Sequence, residues 1–249
     1  MAKLPSSLRV NIKPHIEARI HEAMLEKNSK PSSRDGRLGM SQLGGCERNL
    51  WAGLHGVAND PGREFSGRIL TLFEHGNVVE DHVVSLLKLA GFAVAEVDPA
   101  TGEQWRISDF DDKLVGHTDG LIRISDKANW SLLEIKSSNT RKFDELLEVG
   151  YEDWNPTYSA QVHLYMHYSG LVDALAVVYC KEDSRIHAER IAGNHKKAKS
   201  QIEKASRIIE ATSAPAKPPE AKNKSCPLCK WCDRKEWCWG PLADVQFDD

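Results

Sequence analysis

Two apolar, β-branched-rich runs, residues 114–124 and 130–136, flank a short polar stretch, and no other feature restricts the fold of this chain as strongly. That pattern predicts an antiparallel hairpin. Folding the second run back brings Asp119 level with Glu134, to within one residue of register. Side chains alternate between the faces of a strand, so Glu134 and Lys136 share one face and Leu133 and Ile135 the other. Two carboxylates brought together this way repel, and each resists ionisation unless a cation stands between them. A hard divalent ion such as Mg2+ takes oxygen ligands and accepts one or two carboxylates with waters and phosphate oxygens. A lysine two residues further on can then position a water or neutralise phosphate charge. The plain alternative for the same residues is a surface ion pair, worth about 1 kcal/mol or less.

Helical periodicity surrounds this hairpin. Over residues 76–90, Val79, Val83, Leu86, Leu87 and Ala90 form one apolar stripe, which stops at Gly91-Phe92. On a helical wheel Glu80 lies about 60° from the centre of the stripe and His82 about 100° away on the other flank, while Asp81 faces solvent. An acid so near a buried face either snorkels at its boundary or binds something. Residues 157–169 form a second helix, with Tyr158, Gln161, Tyr165 and Tyr168 on one side and Val162, Leu164 and Met166 packing. Such a polar-aromatic face lines a nucleic-acid groove or is partly buried amphipathic surface. Residues 174–180 read as a central strand in which Cys180 packs. At the N-terminus, residues 1–30 read as mixed helix, with Ile16, Ile20, Ala23 and Met24 at helical spacing, followed by a loop at 31–36. Residues 194–210 form a long helix with Ala198, Ile202, Ala205 and Ile209 inward, and Lys196, Lys197, Lys199, Lys204 and Arg207 mostly outward. A Pro/Ala/Lys-rich stretch at 212–224 is an extended linker.

Six cysteines are present, and four of them (Cys226, Cys229, Cys232 and Cys238) crowd into one short C-terminal segment. Thiols this dense suit metal ligation in a reducing compartment better than extracellular stapling. Zinc prefers two C-x2-C knuckles on separate turns, whereas an iron–sulfur cluster accepts tighter runs with a remote cysteine. The four local cysteines can close a site alone. Alternatively Cys229, Cys232 and Cys238 act with Cys46, leaving Cys226 over. Read by itself, Cys46 beside two glycines is also a reasonable small core residue.

Composition narrows the class. With 249 residues, 41% hydrophobic and 28% charged, the chain suits one large domain or two small ones and excludes disorder, collagen and a disulfide miniprotein. The longest apolar run, residues 174–180, is too short for a bilayer, and the first residues lack a signal-peptide pattern, so a cytoplasmic protein without membrane association is expected. A net charge of −3 does not by itself advertise nucleic acid.

Six short motifs occur in a fixed order: Cys46-Glu47-Arg48, Gly76-Asn77-Val78-Val79-Glu80, Gly116-His117-Thr118-Asp119-Gly120, Glu134-Ile135-Lys136, Gln161-Val162-His163-Leu164-Tyr165 and Cys229-x2-Cys232-x5-Cys238. In that order they resemble the RecB-like branch of the PD-(D/E)xK nuclease superfamily. Its members include iron–sulfur exonucleases associated with CRISPR adaptation, the AddB nuclease domain and phage recombination nucleases. The resemblance spans most of the chain and implies an α/β, restriction-endonuclease-like core. In it, a central mixed β-sheet is flanked by helices, and the N- and C-terminal segments are joined by a cysteine-ligated cluster. It implies four regions: an N-terminal helical extension (1–39), the nuclease core (40–212), a linker and cysteine segment packing with Cys46 (213–240) and a tail (241–249).

The same resemblance implies roles for individual residues. Glu80, Asp119, Glu134 and the backbone carbonyl of Ile135 would hold Mg2+ or Mn2+, and Lys136 would be the catalytic lysine. Gln161 and Tyr165 would support the site and the DNA backbone. Cys46, Cys229, Cys232 and Cys238 would hold a 4Fe-4S cluster, with Zn2+ as the alternative that the extra Cys226 keeps open. The CRISPR-associated members carry histidine where this chain has Glu80. The implied activity is hydrolysis of DNA phosphodiesters, as an exonuclease in recombination, repair or processing. Its substrate would be single- or double-stranded DNA ends, and its partners a recombination or repair protein or further copies of itself. The rival readings are a catalytically inactive DNA-binding subunit and a zinc-containing interaction module.

Overall fold

A computed structural model of the protein describes residues 13–29, 36–219 and 221–240. Residues 1–12, nearly all of the expected 31–36 loop and the 241–249 tail lie outside the described residues. The chain runs from α1 (Lys13–Asn28) through β1 (Leu38–Gly39) and a 3-10 turn at Met40–Gln42 into α2 (Glu47–Leu54) and the long α3 (Gly67–Leu89). Strands β2 (Ala93–Ala95), β3 (Arg106–Asp109), β4 (Leu114–His117), β5 (Gly120–Arg123) and β6 (Ser131–Ser138) follow. Helices α4 (Thr140–Val149), α5 (Tyr151–Trp154) and α6 (Pro156–Ser169) lead to β7 (Asp173–Cys180), β8 (Ile186–Ala192) and α7 (His195–Glu210). Two short helices, α8 (Pro227–Lys230) and α9 (Lys235–Trp239), carry the terminal cysteines. Among the described residues no helix is long and apolar enough to cross a membrane.

The main sheet has the order β2-β5-β6-β7-β8 and is mixed: β6 and β7 run parallel, and the other neighbours antiparallel. Its two faces bury different partners. Val79, Val83 and Val84 of α3 pack on Ile122, Leu133, Ile135 and Val177. Leu132, Ala174, Ala176 and Val178 point the other way, into a larger core with Trp51, Tyr151, Val162, Met166, Ala205 and Ile208. Each fully buried aliphatic side chain in these layers contributes about 1.5–3 kcal/mol. Strand alternation decides where the chemistry goes: Glu134 follows Leu132 onto the face covered by α5 and α6.

The predicted 114–124 strand is two strands in two sheets. β4 belongs to a three-stranded sheet of order β1-β4-β3, whereas β5 belongs to the main sheet. Thr118 still bonds back to the Trp105 carbonyl, but Gly120, at φ +143°, turns the chain away. A Cβ there would stand 2.9 Å from the Ala95 carbonyl oxygen, so only glycine lets the chain change sheets at this point. Hydrophobic alternation is the same on both sides of such a break, so the pattern cannot reveal it.

Two further expectations are corrected. Helix α3 begins at Gly67, not residue 76, because Ser66 caps it and α1 crosses its first turns. A Cβ on Gly67 would sit 2.4 Å from the His21 carbonyl oxygen, which shows how closely the two backbones approach. The helix expected at the N-terminus is present as α1, with Ile16 and Ile20 half-exposed and Met24 partly buried. In α7, Ile208 rather than Ile209 is fully buried, and Lys204 is half-buried, its ammonium donating to the carbonyls of Leu43 and Gly45. Much of the supposed basic surface is spoken for, since Lys197 pairs with Glu152 and Arg207 with Glu47.

Candidate active site

The break between β4 and β5 places Asp119 at the end of the main sheet. Gly120 pairs with Leu133, so the next step of that register sets Asp119 opposite Glu134, as the hairpin arithmetic predicts. Asp119 Oδ2 accepts the Ile135 N–H at 2.6 Å, which fixes the carboxylate against the edge of β6. Glu134 is fully buried beneath α5 and α6; its Oε1 pairs with the Lys136 ammonium, and its Oε2 is buried without any hydrogen-bond partner. The Ile135 side chain points away, into the α3 layer, and offers the site only its backbone. Lys136 also lies 5.2 Å from the centre of the Tyr158 ring. From α6, Gln161 hydrogen-bonds the hydroxyl of buried Tyr165. Gly116 makes room for that tyrosine: a Cβ would lie 2.6 Å from the Tyr165 ring.

These residues border one cleft of about 480 Å³, lined by Glu80, Asp119, Lys136, Tyr158, Gln161 and Tyr165 among others. All the sequence-predicted residues of the catalytic set therefore meet here, Glu134 lying just beneath. Sequence reasoning missed Asn77 and Gln104, which also line the cleft. Asn77 was findable, one helical turn before Glu80. Gln104 was not: it reaches the site because its Nε2 donates to the Thr118 carbonyl from an adjacent irregular segment.

Burial and mutual repulsion hold the carboxyls of this cleft above their ordinary values. Burial, then the charge of Asp119, pushes the Glu80 carboxyl up to about 7. Burial likewise raises Glu134 to about 8, with Asp119 adding to it and Lys136 opposing it. Asp119 is also raised by burial, against the pull of Lys136 and the Ile135 N–H. Lys136 loses by burial but gains more from Glu134 and Asp119, so its ammonium is held well above the usual lysine range. Fully ionised, the three carboxylates would exceed the one ammonium by two charges; in the metal-free fold burial keeps Glu80 and Glu134 protonated up to about 7 and about 8 instead. The orphaned Glu134 oxygen and this cluster of acids fit a hard cation. Among the described residues, no three acidic, histidine or cysteine side chains converge as a finished ligand shell.

A family model described as the PD-(D/E)XK nuclease superfamily matches residues 19–239. The chain belongs to the PD-(D/E)XK nuclease superfamily. Solved structures agree in fold. The structure of SSO0001 is similar over 93% of this chain and 98% of its own, at 16% identity and a TM-score of 0.51. The alkaline exonuclease LHK-Exo from Laribacter hongkongensis is similar over 78% of this chain and 91% of its own, at 18% identity and a TM-score of 0.50. Its complex with dAMP gives 19% identity, a TM-score of 0.51 and coverage of 72% and 88%. No curated protein matches the chain in sequence. Membership of the PD-(D/E)XK superfamily makes the chain an α/β protein of nuclease ancestry, and the mixed sheet flanked by helices is the arrangement such a core needs.

The cysteines form a second locus in this superfamily member. Cys46 is the N-cap of α2, and it borders one pocket with Cys229, Cys232 and Cys238, whereas Cys226 lies outside that lining, buried beside Cys229 and Ala221. The ends of the chain are fastened around the pocket. Arg48 donates to the carbonyls of Ala214 and Pro215 and lies over the Trp237 ring, and Trp51 Nε1 donates to Ala211. Arg234 reaches the Val57 carbonyl, and the Asp60 carboxylate accepts the N–H groups of Glu236 and Trp237. Burial, together with Cys226, pushes the Cys229 thiol up to about 11. Burial raises Cys232 and Cys238 as well, with neighbouring thiols adding to it. A metal bound by such thiols would take them as thiolates and release their protons. The set Cys46, Cys229, Cys232 and Cys238 thus has suitable chemistry for a soft metal group.

Proposed function

We propose that this protein is a divalent-metal-dependent deoxyribonuclease, working as an exonuclease on DNA ends. The observation that carries the reading is the convergence of Glu80, Asp119 and Lys136, above buried Glu134 with its unpartnered oxygen, in the cleft of a PD-(D/E)XK superfamily member. Glu80, Asp119, Glu134 and the Ile135 carbonyl would hold Mg2+ or Mn2+. When bound, such an ion supplies an activated water and positive charge for the phosphate in flight. Lys136, kept protonated by its acidic neighbours, is a donor that orients the nucleophile and not a base. Gln161 and Tyr165 brace that lysine's side of the cleft and meet the DNA backbone. The fold likeness to an alkaline exonuclease is in keeping with carboxyls that ionise only near or above neutral pH.

We also assign Cys46, Cys229, Cys232 and Cys238 as ligands of a structural 4Fe-4S cluster, which fastens segment 213–240 to the 40–212 core. What supports this set is that Cys46, remote in sequence, borders the same pocket as Cys229, Cys232 and Cys238; Cys226, packed beside Cys229, keeps the four-cysteine zinc site as the alternative.

End-labelled single- and double-stranded DNA and closed circular DNA, incubated with Mg2+ or Mn2+, test the activity. Loss of label as mononucleotides or short products, with circles intact, is the expected result. Cleavage of circles removes the exonuclease part, and no cleavage of any substrate removes the whole reading.

A pH effect follows from the same carboxyls. In the metal-free fold Glu80 and Glu134 keep protons up to about 7 and about 8, whereas the unfolded chain releases them near 4.5. Their contribution to stability is therefore fully present below about 4.5 and is lost as pH rises through 7 and 8. A bound metal displaces those protons, so its affinity rises across the same window. Thermal melts should show Mg2+ raising Tm more at about pH 9 than at about pH 6. An equal or larger effect at the lower pH contradicts the assignment of these acids as ligands.

A further inference from the structure

Helix α3 outruns the sheet beneath it, and its inward stripe changes character along its length. Val83 and Val79 bury against β5, β6 and β7, and Glu80 then opens onto the cleft. Toward the N-terminus Asn77 still lines the cleft, but Phe73 faces solvent at 51% exposure. Phe73 precedes Glu80 by seven residues, which puts it about 10 Å along the axis and only about 20° around it. Phe65, 43% exposed, meets Phe73 edge-on with ring centres 5.1 Å apart. Packing against α1 does not account for the exposed ring, because α1 meets α3 at Gly67 and through the Lys27–Glu74 pair, about 100° or more round the helix from Phe73. Nothing among the described residues covers the outer side of this aromatic pair.

We infer that Phe73, held by Phe65, is a base-stacking platform for the DNA strand whose phosphate enters the Glu80–Asp119–Lys136 cleft. The inference rests on the nuclease reading above. Two observations select nucleobases as the occupant. Phe73 lies one turn beyond Asn77 on the stripe of α3 that lines the cleft through Asn77 and Glu80, so a strand leaving the cleft along that stripe meets it. Its distance from Glu80, about 10 Å, matches about three stacked nucleotide steps of 3.4 Å. An aromatic face receives any base without reading its sequence, provided that the base is unpaired. The platform thus makes single-stranded DNA, or the frayed end of a duplex, the substrate class.

A single-stranded oligonucleotide with 2-aminopurine near its end tests this, with Lys136→Ala protein used to keep it uncut. Binding should quench the probe, and adding Phe73→Ala should abolish the quench, while Phe73→Trp restores it. In the otherwise unchanged protein, Phe73→Ala should raise KM for single strands about tenfold with kcat nearly constant. Val78→Ala, exposed about 140° further round the helix, should change neither. If Phe73→Ala protein quenches and cleaves like the unmodified protein, the platform is refuted and the nuclease reading stands. If the unmodified protein neither binds nor cuts DNA, both fall together.

Discussion

Replacing Lys136 by alanine should reduce DNA cleavage about a thousandfold while leaving DNA affinity within about twofold. The lysine is paired with Glu134 on one side and faced by the Tyr158 ring on the other. A group so constrained arrives at the reacting phosphate already oriented, which is where a single donor has its greatest effect on rate. Affinity should survive because phosphate contacts are distributed along a strand, whereas this ammonium meets one position. The fold should survive as well, since Glu134 retains its proton up to about 8 and can be neutral once its partner is gone. Single-turnover cleavage and fluorescence anisotropy on the same labelled DNA measure the two quantities separately. Unchanged cleavage would remove Lys136 from the chemistry. Glu134→Gln provides the companion result: cleavage is lost, but the metal-free protein gains stability above pH 8, because a group whose ionisation opposes folding has been removed.

The second large effect concerns two cysteines that should behave in opposite ways. Cys46→Ala should strip the protein of iron and lower Tm by about 10 °C, whereas Cys226→Ala should retain both. A cluster with Cys46 as a ligand joins α2 to the C-terminal segment and closes a loop of most of the chain. By analogy with a covalent cross-link over such a loop, its loss costs about 4 kcal/mol, partly offset by the Arg48, Trp51, Arg234 and Asp60 contacts that hold the same segments. Iron and acid-labile sulfide analysis of anaerobically purified protein, with thermal melts, gives the answer. The reverse pattern, in which Cys226→Ala loses the metal and Cys46→Ala keeps it, would establish a four-cysteine zinc site instead. Cleavage per folded molecule should change little in either variant, because the cysteine pocket and the catalytic cleft share no lining residue.

Most of the catalytic set was readable from the chain because it rests on local rules. Period-two alternation puts Glu134 and Lys136 on one face, hairpin folding brings Asp119 to Glu134, and helical spacing turns Glu80 toward the core. Each is a consequence of backbone geometry over a few residues, so sequence by itself determined that these proposed site residues come together, and it carried the superfamily match over residues 19–239. Four features required the tertiary structure. The split of the 114–124 run between two sheets depends on a glycine's freedom at position 120 and on the approach of Ala95, a contact between distant segments. The early start of α3 depends on its crossing with α1. The arrival of Gln104, and the meeting of Cys46 with Cys229, Cys232 and Cys238 at one pocket, likewise depend on long-range packing. The charge of the site also became legible only in three dimensions. A net charge of −3 says nothing about where acids sit, whereas the tertiary structure buries three of them around one lysine and holds their carboxyls above the ordinary range.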